Sequence, residues 1–192
     1  ILYFMSELLV ISQNYKKEAD RILLESNLVE DLSRFGGVIF TGAYAGNVMM
    51  HGDIDLVVVR DIPYTKDEIF NVMRELYIKD YFRSYFISGD WDDPRKGAEF
   101  PIGHYLGLKL KIGDERWKFD IWFVGRNDYE DRQKDFQIKN AIVTPEQKKT
   151  ILYFKKYRND NKLSISGFHI YDAVLNKNCK TVEDLISVYP IS

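Results

Sequence analysis

The stretch from Phe35 to Val59, FGGVIFTGAYAGNVMMHGDIDLVVV, constrains this chain more than any other. An apolar run, Val38-Ile39-Phe40, leads into the small-residue turn Thr41-Gly42-Ala43, and after nine intervening residues Asp53-Ile54-Asp55 opens a second apolar run, Leu56 to Val59. This pattern predicts a buried strand, a turn where backbone can approach a ligand closely, and a second strand that begins with two carboxylates. In an extended chain residues i and i+2 share a side, so Asp53 and Asp55 project together while Ile54 and Leu56 face the core. Two like charges so close repel unless a cation neutralises them, and hard divalent ions such as Mg²⁺ take oxygen ligands of this kind. Both runs are almost wholly apolar, which predicts two central strands with both faces covered.

The rest of the chain supplies the elements such a pair of strands needs. Apolar residues recur near helical spacing from Ser6 to about Arg34, predicting one or two amphipathic helices that end at Gly36-Gly37. Thr65-Lys66-Asp67-Glu68 is a capping box for a helix to about Lys79, and Tyr81 to Ile87 reads as a third strand. Leu106 to Ile112 alternates with period two, Gly113-Asp114-Glu115-Arg116 makes a hairpin turn, and Trp117 to Val124 is the partner strand. Asp120 sits inside that last strand between aromatic and branched residues, where a carboxylate needs a partner or a cation. Beyond Arg126 the signals are helical: Thr144-Pro145-Glu146-Gln147 opens one helix, Ser166 to Asn176 reads as another, and Thr181-Val182-Glu183-Asp184 caps a last one.

The expected fold class is therefore α+β: a mixed, twisted sheet of about five strands flanked by helices, with a C-terminal helical extension. Residues 5–125 form the first unit and 126–192 the helical one, while Ile1 to Phe4, which precede Met5, read as the end of an expression-tag linker. Net charge is −2, so no overall basic field recruits nucleic acid. A lone cysteine, Cys179, allows no internal disulfide and fits a reducing cytoplasm, and no apolar run approaches the roughly 20 residues that span a bilayer.

Gly42-Ala43, the spacer, Asp53-Ile54-Asp55-Leu56 and a later strand carrying Asp120 together resemble the DNA polymerase β-like nucleotidyltransferase superfamily. Its pattern is a Gly-Ser or Gly-Gly turn, about ten residues, a spaced Asp pair and a third Asp or Glu on a separate strand. The resemblance covers roughly residues 35–125. It implies a metal-dependent enzyme that moves an NMP from an NTP to a hydroxyl acceptor and releases pyrophosphate. It implies further that Asp53, Asp55 and Asp120 hold two Mg²⁺ ions, with Mn²⁺ as a substitute, and that Asp120 can act as base. Thr41, Gly42, Ala43 and Tyr44 would then surround the triphosphate, with the Gly42 and Ala43 amides as donors. Ala43 departs from the pattern, which places Ser there; Thr41 or Tyr44 would have to offer a hydroxyl instead. The acceptor is a small molecule, a protein or RNA. The competing reading from a different class is a non-catalytic module that keeps the fold for binding or regulation, as a partner of a toxin or of a larger transferase. A third reading is a hydrolase or nuclease using the same metals.

Plainer readings accompany each candidate. Asp53 and Asp55 could cap a surface strand, and Asp120 could pair with Lys109, Lys111 or Lys118. His51, next to the Asp pair, could touch nucleotide or metal; His104 and His169 read as structural, and no Cys or His spacing suggests zinc. Asp90, Asp92 and Asp93 make only a scrap of a calcium loop, with Trp91 able to stack on a ring; the Ser88 to Gly103 loop around them is long enough to be functional. Lys148, Lys149, Lys155, Lys156, Arg158 and Lys162 read as a solvated helix face, or more sharply as a phosphate-binding one.

Overall fold

A computed structural model describes residues 2–88, 103–131 and 143–190. Helices α1 (Leu2–Ser26) and α2 (Leu28–Ser33) come first, separated by Asn27 in the left-handed region at φ 54°. Strand β1 (Gly37–Thr41), the one-turn α3 (Gly42–Gly46) and β2 (Gly52–Arg60) follow, then α4 (Lys66–Ile78) and β3 (Ser84–Ser88). After them come β4 (His104–Ile112), β5 (Glu115–Gly125), α5 (Arg126–Asp131), α6 (Pro145–Asp160), α7 (Gly167–Leu175) and α8 (Val182–Val188). The expected loop bearing Asp90, Trp91, Asp92 and Asp93 lies outside the described residues.

Local chemistry sets the helix starts. Thr65, Thr144 and Thr181 each accept from the amide three residues on, while Glu68, Gln147 and Asp184 reach back, so the capping box read at Thr65 forms and the helix starts read at Thr144 and Thr181 are capping boxes too. Ser166 caps α7 by accepting from the His169 amide.

The five strands form one sheet in the order β1-β2-β5-β4-β3, with β2 and β5 parallel and the other pairs antiparallel. Alternation divides it into two faces. Ile54, Leu56 and Val58 of β2 and Phe119, Ile121 and Phe123 of β5, all 0% exposed, bury one face against Ile22, Leu28, Leu32 and Ile69 of α1, α2 and α4. Each such side chain contributes about 1.5–3 kcal/mol relative to exposure, enough to fix which way its neighbours on the strand point. The other face carries Asp53, Asp55 and Asp120, then a small cluster of Val57, Val59, Trp122, Val124 and Tyr129. A separate core joins α6, α7 and α8 to Leu8 of α1 and to Val48.

One expectation needs correcting: among the described residues β1 is an edge strand, paired with β2 alone. Its apolar residues do serve both faces, since Val38 and Phe40 pack on the helix side and Ile39 on the other. Side-chain pattern reports covered faces; it carries no information about how many strands flank the backbone.

Candidate active site

The turn and the first carboxylates are built against each other. β1 ends at Thr41, and Gly42 leaves it at φ +60°. A Cβ on Gly42 would lie 2.1 Å from Asp55 Oδ2 and 2.9 Å from its Cγ, so the carboxylate rests on bare glycine backbone. Only glycine combines that conformation with that contact.

Parallel pairing then supplies the third acid. Asp55 stands opposite Asp120, and Asp53 opposite Lys118. One carboxylate oxygen from each of Asp53, Asp55 and Asp120 lies within 4.8 Å of the other two. Asp53 Oδ1 is buried and has no hydrogen-bond partner among the described residues. Burial pushes the Asp55 carboxyl up to about 8, reinforced by Asp53 and Asp120 and opposed by Lys118 and Lys155. Asp53 is raised as well, by burial first and by Asp120 after the opposing Lys118. An orphaned oxygen and carboxyls driven toward neutrality mark a site short of positive charge, and its all-oxygen donor set fits Mg²⁺ or Mn²⁺.

Asp120 differs from its neighbours in having partners. The Tyr105 hydroxyl donates to its Oδ1 and the Lys118 ammonium to its Oδ2. Of the three lysines read as possible partners, Lys118 is the one that pairs with it. Tyr105 reaches along its own strand because Gly107 has no side chain: a Cβ there would meet the Tyr105 hydroxyl oxygen at 2.7 Å. Burial and the bond to Asp120 push the Tyr105 phenol well above its ordinary value.

The residues expected around the triphosphate are placed as follows. Thr41 is 7% exposed and stands opposite Asp55 in the β1–β2 register. Ala43 is 7% exposed and packs with the helix-side core. The Tyr44 hydroxyl turns away to α1, donating to Asp20 Oδ1 at 2.7 Å, while Lys16 sits over its ring at 3.6 Å. Thr41, not Tyr44, therefore offers its hydroxyl on the carboxylate side. His51 is exposed just before β2. His104 Nε2 lies 3.0 Å from the Tyr64 carbonyl, and His169 stacks on Tyr189 at 4.4 Å.

Sequence reasoning misplaced Lys155. Far from a solvated face, it is 4% exposed, and its ammonium donates to the Val48 carbonyl at 2.9 Å and the Tyr171 hydroxyl at 2.7 Å. Burial and nearby Arg158 bring it down to about 7, opposed by the charges of Asp55 and Asp53. The available signal was its position four residues after the buried Ile151, on the same helix face.

A five-stranded mixed sheet with this triad and flanking helices has the fold of the polymerase β-like nucleotidyltransferases. Among solved structures the chain is similar to the Cid1 poly(U) polymerase with Mg and 3′-dATP bound, at TM-score 0.57 and 15% identity, covering 90% of this chain and 54% of that one. A cytoplasmic RNA terminal U-transferase matches at TM-score 0.56 and 18% identity over 90% of this chain and 52% of that one. GLD-2 in the GLD-2/RNP-8 complex matches at TM-score 0.53 and 12% identity over 99% of this chain and 68% of that one. The chain thus spans about half the length of the first two. No family model matches it, and no curated protein matches it in sequence. Among the described residues no helix is long and apolar enough to cross a membrane.

Proposed function

We propose that this protein is a metal-dependent nucleotidyltransferase that moves an NMP from an NTP to a hydroxyl acceptor, releasing pyrophosphate. The observation that carries the reading is the convergence of Asp53, Asp55 and Asp120 within 4.8 Å, with Asp53 Oδ1 buried and without a partner among the described residues. The solved neighbours, a poly(U) polymerase and an RNA terminal U-transferase, support it through the shared fold.

In this reading Asp53, Asp55 and Asp120 would hold the metal, with Asp55 and Asp120 on the acceptor side. Bound Mg²⁺ would supply charge neutralisation of the attacking and leaving oxygens of an in-line displacement. The protein's own groups do the rest. Gly42 and Ala43 present backbone amides to the phosphates, and Thr41 offers a hydroxyl on the same side. Asp120 takes the proton of the acceptor hydroxyl, with Tyr105 and Lys118 fixing its orientation. The hydrogen bond that Ser would make in place of Ala43 is worth roughly 1.5–3 kcal/mol, which weakens NTP binding without abolishing it. Residues 5–125 would carry the chemistry, and 126–192 would support it through Lys155, which ties α6 to Val48 just before β2.

Incubating the protein with α-labelled NTPs, Mg²⁺ and a cell extract should transfer label to an acceptor, and Asp55→Asn should transfer none while keeping its fold. The departure at Ala43 favours one other reading, a non-catalytic binding module. Equal performance of the parent and a triple Asp→Asn variant in partner binding, with no label transferred by either, would establish that instead.

A further inference from the structure

Among the described residues, one cation of the chain itself touches the carboxylates. Lys118 precedes Asp120 by two residues on β5, so both side chains leave the same side of the sheet. The register sets Lys118 opposite Asp53 of β2, one row from the pair formed by Asp55 and Asp120. Its ammonium donates to Asp120 Oδ2. Burial raises Asp53 and Asp55, and the Lys118 charge is the largest influence holding them down. One ammonium therefore serves all three acids, bonding one and acting on the other two through space. On its far side Lys118 is paired in register with Lys109 of β4, a like charge that favours the carboxylate side.

Both oxygens of Asp120 are engaged, and their two partners are held very differently. Tyr105, on Oδ1, is half-buried over Gly107, with its ring against Trp122 at 5.2 Å and Phe86 at 5.9 Å. Lys118, on Oδ2, has a side chain 48% exposed, against 16% for Asp120. Its flexible four-carbon stem can swing the ammonium into solvent for the loss of one half-exposed ion pair, whereas moving Tyr105 would break up a row of packed rings. An ion shared by the three acids needs an oxygen from Asp120, and Oδ2 is the one whose partner can leave.

We propose that Lys118 is a placeholder for the metal: its ammonium and a divalent ion compete for Asp120 Oδ2, so the ion must displace Lys118 to bind. This rests on the nucleotidyl-transfer reading and adds to it a brake on metal binding. The ammonium keeps the acids from repelling one another until an ion arrives. A monovalent ion brings no gain in charge over the ammonium and does not displace it, whereas a dication does. Lys118 orients Asp120 before the exchange, and Tyr105 alone holds it afterwards.

The test titrates the full chain with Mn²⁺ and follows the loss of the free-ion electron paramagnetic resonance signal, first with Mn²⁺ alone and then with a non-hydrolysable NTP analogue. Lys118→Met keeps the stem and removes the competitor, so it should bind Mn²⁺ about fivefold more tightly than the parent, a factor equivalent to the top of the range for surface ion pairs. Lys118→Arg keeps a cation on Asp120 and should bind no more tightly than the parent. Lys109→Met removes the same charge one strand away without removing a competitor, and screening should hold its affinity within about twofold of the parent's. Melting gives a second readout. Lys118→Met should melt below the parent without metal, and saturating Mn²⁺ should raise it by more than the parent, since stabilisation grows with affinity. Mn²⁺ alone decides the comparison; where neither protein binds it alone, the analogue series does. Equal or weaker Mn²⁺ binding by Lys118→Met would overturn the placeholder, as would an equal tightening by Lys109→Met; each leaves nucleotidyl transfer standing. A parent that binds no Mn²⁺ in either series would remove both.

Discussion

Asp55, proposed here as a metal ligand, shows how such a residue can work against the fold that carries it. Its carboxyl lies on Gly42, between two other acids, and in the metal-free protein it is raised from 3.8 to about 8. Between those values the folded state keeps a proton that the unfolded chain has released, so this group's contribution makes stability fall as pH rises. The fully favourable condition lies below the unfolded value, and the loss is complete above the folded one. Thermal melts of the metal-free protein from about pH 5 to about pH 7 should therefore show a downward arm that Asp55→Asn removes, with the variant the more stable at the upper end. A variant with the parent's slope would show that Asp55 is not the strained group. Metal binding requires the deprotonated form, so affinity for Mg²⁺ should rise across the same window. The triad was legible at this scale because paired carboxylates in apolar strands have few other uses. The partners of Asp120 were not, because Tyr105 reaches it only through the gap at Gly107, a contact set by sheet register and invisible in linear spacing.

Among the elements, strands and capped helices followed the sequence closely, since alternation and capping boxes are local signals. The third strand starts at Ser84, later than Tyr81, because Tyr81 and Phe82 turn their rings into the helix-side core before pairing begins. The two larger departures have one cause. The edge position of β1 and the burial of Lys155 depend on which elements become neighbours, which periodicity does not encode. Lys155 joins α6 to the Val48 carbonyl and to Tyr171 of α7. Lys155→Met keeps much of the volume but leaves those two groups without their donor, so it should cost about 2–6 kcal/mol, from roughly 1–3 for each of the two unsatisfied buried groups. Chemical denaturation of the two proteins measures this, and a loss below about 0.5 kcal/mol, the scale of an ordinary surface change, would mean that Lys155 is not a tie.

For the whole molecule, the sheet arranges Thr41 beside the glycine turn, Asp55, Asp120 and the exposed Phe86 ring along one row, with Asp53 in the next row and the apolar face behind them buried under α1, α2 and α4. The order of that row follows from strand pairing alone, with the glycine turn and Phe86 at opposite ends and the carboxylates between them. The claim that unites these scales is that the carboxylates exist to hold metal against a triphosphate. Calorimetric titration of the parent and of Asp55→Asn with non-hydrolysable analogues of the four NTPs, each with and without Mg²⁺, tests it most directly. The account predicts saturable binding of at least one NTP by the parent that requires Mg²⁺ and disappears in the folded variant. Absence of binding for all four, or binding that survives both the loss of Mg²⁺ and the Asp55→Asn change, would contradict it.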